Sequence, residues 1–448
     1  MTMPTVLDTI YTAGWREDSE AATILELYEE SISKMSPPDH VPAPLGTSVL
    51  RHPPKEDIEK PTIGKWAAIV PREDRAAATE ALAPILAHRR KQGCLWGDGI
   101  IAVNPSASGT TESWWRRFVQ EVGEILPYYL LLVGGPDRLP FEFQYELDLH
   151  RATGRLDVSD TPGGSFSWEG CRRYAEKVVA YERSETEVGA KPLFYSVQID
   201  EATRLSHKSL VLKLAQTIRT GVTPLYGNEA TAENLMTALA TVPAPKLVFT
   251  ASHGIEFPAD PVRWGALNDC NYSGRAGNNA FSAQLAHEAE NIGRGSIMFA
   301  FACFSAGVPE RSTVSFLVGE SDTAVEMGAR VAPLPRQLLG HPNGPVAFIG
   351  HVDRVSALAF QSSFGMSGIA PYHHFIGWLH QRNATLGQAL GTLRENAQRI
   401  GAQIAAYLAQ ARHIPGDYTT VREAGQKWIG FHDYRGFMLL GDPALKLL

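Results

Sequence analysis

Seven short apolar runs recur along the chain, set between segments of helical periodicity. They are "KWAAIV", "GIIAV", "YYLLLVGG", "PLFYSVQID", "KLVFTASHG", "SIMFAFACFSAG" and "PVAFIGHVD", and each reads as a strand. The runs are continuous rather than alternating, which is the pattern of strands covered on both faces. Helices between such strands imply a mostly parallel sheet in an α/β sandwich. The connecting helices are legible from their spacing: 75–93, 113–125, a helix around 168–183 with Tyr174, Val178 and Tyr181 on one face, 206–220 with Leu210, Leu214 and Ile218, 232–240 and 281–292. The most regular lies between 385 and 411, where Leu386, Leu390, Leu393, Ala397, Ile400 and Ile404 form one stripe.

Residues 1–60 are rich in breakers, as in "SPPDHVPAPLG" and "RHPPKED", and read as a largely irregular N-terminal arm. From there the strand and helix pattern divides into a first α/β lobe over 61–185 and a second over 186–448. At 448 residues either two lobes or one large α/β unit can bury a sizeable core.

Several functional classes are disfavoured. A formal charge of −7 and the lack of a basic stripe argue against general attraction to nucleic acid or anionic lipid. The N-terminus has no charged segment followed by an apolar one, and no stretch approaches the ~18 apolar residues of a membrane span. A cytoplasmic protein is the resulting expectation. Cys94, Cys171, Cys270 and Cys303 are widely spaced and form no CxxC pair, so neither a disulfide framework nor a cysteine zinc site is indicated. The histidines include no HExxH, and the adjacent His373 and His374 read as a solvated turn. No metal or cofactor is called for. The glycines of "LVGGPDRLP" lack phosphate-loop spacing and read as a strand-end turn.

The reactive residues collect at strand ends. Parallel strands deliver their C-terminal ends to one edge, where open α/β folds place their sites. "KLVFTAS" ends at His253-Gly254 and "SIMFAFA" ends at Cys303. On neighbouring strands the imidazole and thiol would meet. An ordinary thiol is only a few per cent ionised at neutral pH, and a nearby imidazole can take its proton or stabilise the thiolate. Cys303 would then attack a carbonyl and His253 would protonate the leaving amine. The backbone N–H groups of Gly254 and Cys303 could stabilise the oxyanion, and "Phe304-Ser305-Ala306-Gly307" would be the turn that exposes the sulfur. The other three cysteines lack a comparable histidine and read as structural.

"TASHG" followed by "FAFACFSAG" resembles the His-Gly and Ala-Cys signatures of caspase-like (clan CD) cysteine peptidases, including gingipains and the CHAT domains. "YYLLLVGGPDRLP", "GRLDV" and "RYAEKVVAYE" are similar to the first subdomain of gingipain-type peptidases. The closing "GFMLLGDPALKL" resembles the Gly-Asp-Pro-hydrophobic ending of gingipain-type and CHAT sequences. The resemblance covers roughly residues 125–448 and leaves 1–120 unexplained. It implies a caspase-like three-layer sandwich with a mostly parallel sheet, preceded by a smaller α/β lobe. It also implies a His253–Cys303 dyad and Gly254 as an oxyanion donor. The expected activity is that of an intracellular endopeptidase acting on protein substrates, held latent until a cleavage, ligand or partner activates it, in bacterial defence or regulated proteolysis.

In such folds the substrate pocket is bordered by the segments that here read "QIDEATRLS" and "FIGHVDRVS". Asp200 and Asp353 would select Arg or Lys, whereas Arg204 and Arg354 would select Asp or Glu. The resemblance to gingipains favours the basic choice. Asp200 or Thr203 can alternatively cap the helix that follows, and Asp353 with Arg354 can be an exposed pair. Glu256 and Asp260 are candidates to orient the imidazole, and His351 is a pocket-lining or core residue. The Gly-rich stretch 268–280 reads as the most mobile loop near the crevice. Two other readings stay open: a catalytically silent sensor or interaction module of the same fold, and an acyl transferase using the same thiol.

Overall fold

The computed structural model describes residues 61–447 apart from 105–117, 119–125, 187, 190, 257–259, 272–278, 311, 313–327, 357–359, 361–367, 382–383 and 414–417. The expected N-terminal arm, the helix at 113–125 and most of the Gly-rich stretch 268–280 therefore lie outside the described residues.

Ten strands form one sheet: β1 Trp66–Pro71, β2 Leu95–Val103, β3 Tyr129–Val133, β4 Ala152–Leu156, β5 Leu193–Ser196, β6 Thr223–Tyr226, β7 Leu247–Ala251, β8 Ile297–Phe301, β9 Ala347–His351 and β10 Phe437–Gly441. Their order is β2-β1-β3-β4-β10-β9-β8-β7-β5-β6. The strands that the sequence divides near residue 185 are thus neighbours in a single sheet, and the last strand forms the seam between them. Pairing is parallel from β2 to β4 and from β9 to β6, while β10 runs antiparallel to β9.

At the seam β10 meets β4 through one bridge, Leu440 with Arg155, which has the parallel hydrogen-bond pattern where Gly441 takes φ +119°. The ends of the two strands nevertheless run oppositely. Asp442, just past β10, accepts a bond from Trp66 Nε1 at the start of β1, and Gly436, just before β10, lies against His351 at the end of β9. Consequently β1–β4 point the same way as β5–β9, and one edge collects the C-terminal ends of both groups. Two contacts bear this out. Arg336 donates to Asp157 beyond β4 at 2.8 Å, and Phe141 beyond β3 packs on Gly307 beyond β8.

Helices cover both faces. They are α1 Arg75–Ala81, α2 Ala83–Lys91, α3 Phe141–Asp148, α4 Trp168–Glu182, α5 Glu201–Ser206, α6 Ala232–Leu239, α7 Ala283–Glu288, α8 Pro333–Gly340, α9 Ala370–Gln381, α10 Leu386–His413 and α11 Tyr418–Arg435. Burial of β1 on both faces shows the layering directly. Trp66, Ala68 and Val70 join a core that continues to Phe249 and Met298, while Ala67 and Ile69 join a separate cluster with Leu130, Leu132 and Phe143. The helix expected over 75–93 is broken at Leu82, because Pro84 has no N–H for the Glu80 carbonyl. The helix expected from 206 starts earlier, at Glu201, and continues through a π-turn over His207–Val211. Among the described residues no helix is long and apolar enough to cross a membrane.

The seam is locked by charge. Arg89, from α2, is buried between Glu182 at 2.7 Å and Asp442 at 2.6 Å. Tyr174 receives the Asp442 N–H and donates to Val346 O, so α4 joins the same knot. Both carboxylates hold the Arg89 guanidinium charged despite its burial, and the bonds from His88 and Arg89 take Glu182 down to about 2. Removing one partner strands a buried charge. Asp442→Ala should therefore cost about 3 kcal/mol in urea unfolding, whereas deleting the exposed Arg172–Glu169 pair should leave the midpoint unchanged. Glu182 titrates below its unfolded value of about 4.3, so its contribution is full above that pH and is lost on acidification towards 2.

Candidate active site

β7 and β8 pair in register from Leu247↔Ile297 to Ala251↔Phe301, and the Ser252 N–H extends the ladder to Phe301 O at 3.2 Å. Two residues further on, His253-Gly254 lies beside Cys303. The approach is so close that a Cβ on Gly254 would stand 1.7 Å from Cys303 O and 3.1 Å from Cys303 N. Only glycine permits this backbone-to-backbone contact.

Gly254 also forms an antiparallel bridge with Leu267, bonded through the flanking residues: Ile255 N–H to Ala266 O at 2.9 Å and Asn268 N–H to His253 O at 3.1 Å. In that pattern the central residue's own N–H points away from its partner strand. The Gly254 N–H is thereby left for another acceptor.

His253 is held at its backbone and at its ring. Its backbone N–H donates to Asn268 Oδ1 at 2.8 Å, and the ring Nε2 lies 2.6 Å from Asp200 Oδ2. Asp200 follows β5 and is the N-cap of α5. Its Oδ1 accepts from the Thr203 N–H and hydroxyl at 2.9 and 2.7 Å, completing a capping box. These partners outweigh its partial burial and hold the Asp200 carboxyl well below the usual range. A carboxylate on Nε2 places the ring proton there and leaves Nδ1 as the basic nitrogen. Asp200 thus performs the capping role foreseen for it and also orients the ring. Glu256 and Asp260, the residues considered for that orienting task, lie elsewhere. Glu256 pairs with Arg354 Nε at 2.9 Å, and Asp260 accepts the Val262 N–H.

Cys303 is 3% exposed. Its Sγ accepts the Val355 N–H at 3.4 Å and lies 3.7 Å from Val355 O, on the β9 side of the strand end. No hydrogen bond joins it to His253 among the described residues. Burial, reinforced by the nearby Glu256 charge, pushes the thiol up to about 12, which the Val355 N–H and Arg354 only partly oppose. In this conformation the sulfur is held against the Val355 backbone and not against the His253 ring.

The turn after Cys303 is knit to the end of β9. Phe304, at φ +54°, donates its N–H to Asp353 O at 2.8 Å, and Ser305 Oγ bridges Ala302 O and the His351 N–H. Asp353 is 1% exposed with φ +87°, and its Oδ1 accepts from Ser312 Oγ at 2.7 Å and the Arg354 N–H at 2.8 Å. Its carboxylate is taken up beneath the turn after Cys303 instead of lining an open pocket. His351 is buried against Phe437 and His432, and burial takes it down to about 3. Arg204 is exposed on α5, and Arg354 is buried with Glu256.

Of the residues singled out in the sequence, Asp200, His253, Gly254 and Cys303 therefore meet at one edge, and Asp353 supports it from below. Asn268 and Val355, which hold the His253 backbone and the Cys303 thiol, carry no motif. Their roles follow only from which strand ends are neighbours. Cys94, Cys171 and Cys270 are free thiols. Among the described residues no cluster of His, Cys, Asp or Glu side chains is arranged to hold a metal ion.

The Gly254 contact makes a sharp prediction. Gly254→Ala should lower stability by roughly 3 kcal/mol or more, because the backbone must separate. Gly377→Ala, on α9 where nothing lies within 4 Å, should gain about 0.5 kcal/mol from helix propensity. Urea midpoints of the two variants measure the contrast. Comparison of the chain with known proteins adds no identity to this geometry: no protein-family model matches it, and no curated protein matches it in sequence.

Proposed function

We propose that this chain is a cysteine endopeptidase of caspase-like fold, acting through Cys303, His253 and Asp200 on protein substrates inside the cell. The observation that carries the reading is the pairing of two contacts. The His253-Gly254 backbone rests on the Cys303 peptide, and the same His253 ring is held by Asp200.

In the proposed reaction the Cys303 proton passes to His253 Nδ1 and the thiolate attacks the peptide carbonyl. The Gly254 and Cys303 N–H groups receive the oxyanion. The imidazolium then protonates the leaving amine as the C–N bond breaks, leaving a thioester. Water, losing its proton to His253, releases the acid and restores the thiol. Asp200 keeps the ring in the required tautomer throughout and balances its transient charge.

The Val355 contact gives latency a local form. The thiol must leave the Val355 backbone and reach the imidazole before it ionises, so whatever moves the segment after β9 would arm the site. The burial of that thiol against Val355 is also the one observation favouring a silent sensor of the same fold.

Peptidase assays on the full chain separate the two. Cys303→Ala should reduce cleavage to background and His253→Ala should reduce it by about 10³-fold. Asp200→Asn retains a good cap residue, so it should keep its urea midpoint yet lose on the order of 10²-fold in kcat. Cleavage that survives Cys303→Ala would reject the assignment, and cellular function untouched by that substitution would favour the sensor.

A further inference from the structure

Both carboxylates that could have received a basic substrate side chain are engaged inside the fold: Asp200 with His253 and Thr203, Asp353 with Ser312 and the Arg354 N–H. The cation Arg354 is likewise matched by Glu256. Beside the nucleophile turn, Arg330 has no carboxylate partner among the described residues. Gly307–Val308, four residues beyond Cys303, pair antiparallel with Arg330–Val331, and the Ala332 N–H bonds to Ala306 O at 3.0 Å.

From this short ribbon the Arg330 guanidinium lies over the Trp264 ring, 5.9 Å from its centre. Trp264 in turn packs edge-on against Phe304, the residue after the nucleophile, at 5.3 Å. Next to it Gly265, at φ +67°, lies so close to Phe304 O that a Cβ would stand 2.2 Å away. Arg330 is thereby rigidly referenced to Cys303 through two aromatic rings and a backbone contact.

Arg330 Nε and Nη2 are shielded from water and have no hydrogen-bond partner among the described residues. A guanidinium edge withdrawn from water without an acceptor is costly, so a binding partner that supplies one gains accordingly. Burial weakens its hold on the proton in the same sense. The Nε–Nη2 edge is the geometry that a carboxylate meets with two parallel bonds, and the Trp264 face keeps the guanidinium plane in place.

We propose that Arg330, backed by Trp264, is the subsite that receives a carboxylate of the peptide substrate beside Cys303. The inference rests on the peptidase reading. It assigns an acidic preference, against the basic one that Asp200 and Asp353 suggest in the sequence. The carboxylate can come from an Asp or Glu side chain or from a free C-terminus.

Fluorescence polarisation on the full chain carrying Cys303→Ala tests it without requiring turnover. The probes are labelled pentapeptides Ala-Ala-Xaa-Ala-Ala, amidated, with Glu, Asp, Gln or Lys at the centre, and penta-alanine with a free carboxylate. A Glu or Asp peptide is expected to bind at least tenfold tighter than the Gln peptide, and tight binding of free penta-alanine alone would identify the C-terminal carboxylate instead. The acidic advantage should disappear in Arg330→Gln, fall to an intermediate value in Arg330→Lys, and give way to the Lys peptide in Arg330→Glu, with urea midpoints confirming that each variant folds. Equal binding of Glu and Gln peptides with no tighter binding of free penta-alanine, tightest binding of Lys, no measurable binding of any carboxylate, or a carboxylate advantage that persists in Arg330→Gln would overturn the proposal. Because the thiol is absent, such a failure is distinct from a failure of Cys303 to react, which would remove the peptidase reading and leave the binding pattern to stand.

Discussion

The candidate site depends on one contact, the Gly254 backbone lying directly on the Cys303 peptide. Two adjacent parallel strands in matched register bring the segments side by side, and the missing Cβ lets them close. From that contact the remaining parts acquire their positions. The preceding residue carries the imidazole, the Gly254 N–H stays clear of its own bridge, and the nucleophile turn is tied to the end of the next strand. A residue one methyl larger at position 254 would push the His253 and Cys303 segments apart.

The sheet around this contact explains why one edge can hold so much. Only β10 runs antiparallel to its neighbour β9, and Asp442 behind it is clamped by Arg89, Trp66 and Tyr174. With β10 as the seam, the two groups of parallel strands point the same way, so loops from both reach one edge. The opposite edge carries the charge lock. The charge lock and the candidate site thus lie at opposite ends of the strands, and Asp442 is remote from His253 and Cys303.

Much of this was legible in the sequence for a simple reason. Strands buried on both faces appear as continuous apolar runs, so β7, β8 and β9 were evident together with the residues at their ends, His253 and Cys303. Three strands escaped: β10 is an apolar run read only as part of the closing motif, whereas β4 and β6 have physical excuses. β4 contains Gly154 and the buried Arg155, whose guanidinium is satisfied by Gln144 and the carbonyls of Gly134 and Leu139, so it lacks an apolar signature. β6 is a half-exposed edge strand containing Pro224. Asp200 was recognisable as a cap from its local sequence, but its bond to His253 depends on β5 lying beside β7 in the register Ser196↔Ala251, which no local pattern encodes. Asp353 shows the converse. A charged residue after a strand suggests a pocket, whereas its left-handed backbone turns the carboxylate inward to hold the turn.

The most direct measurement is intact-protein mass spectrometry after exposure to peptidyl ketones bearing Glu, Asp, Lys, Arg or Leu, comparing the native chain with Cys303→Ala and mapping the modified residue by peptide digestion. A single adduct on Cys303, formed with the native chain and absent from the alanine variant, is the result this account predicts. Labelling that persists in Cys303→Ala, or an adduct on the native chain that maps to a residue other than Cys303, would contradict it.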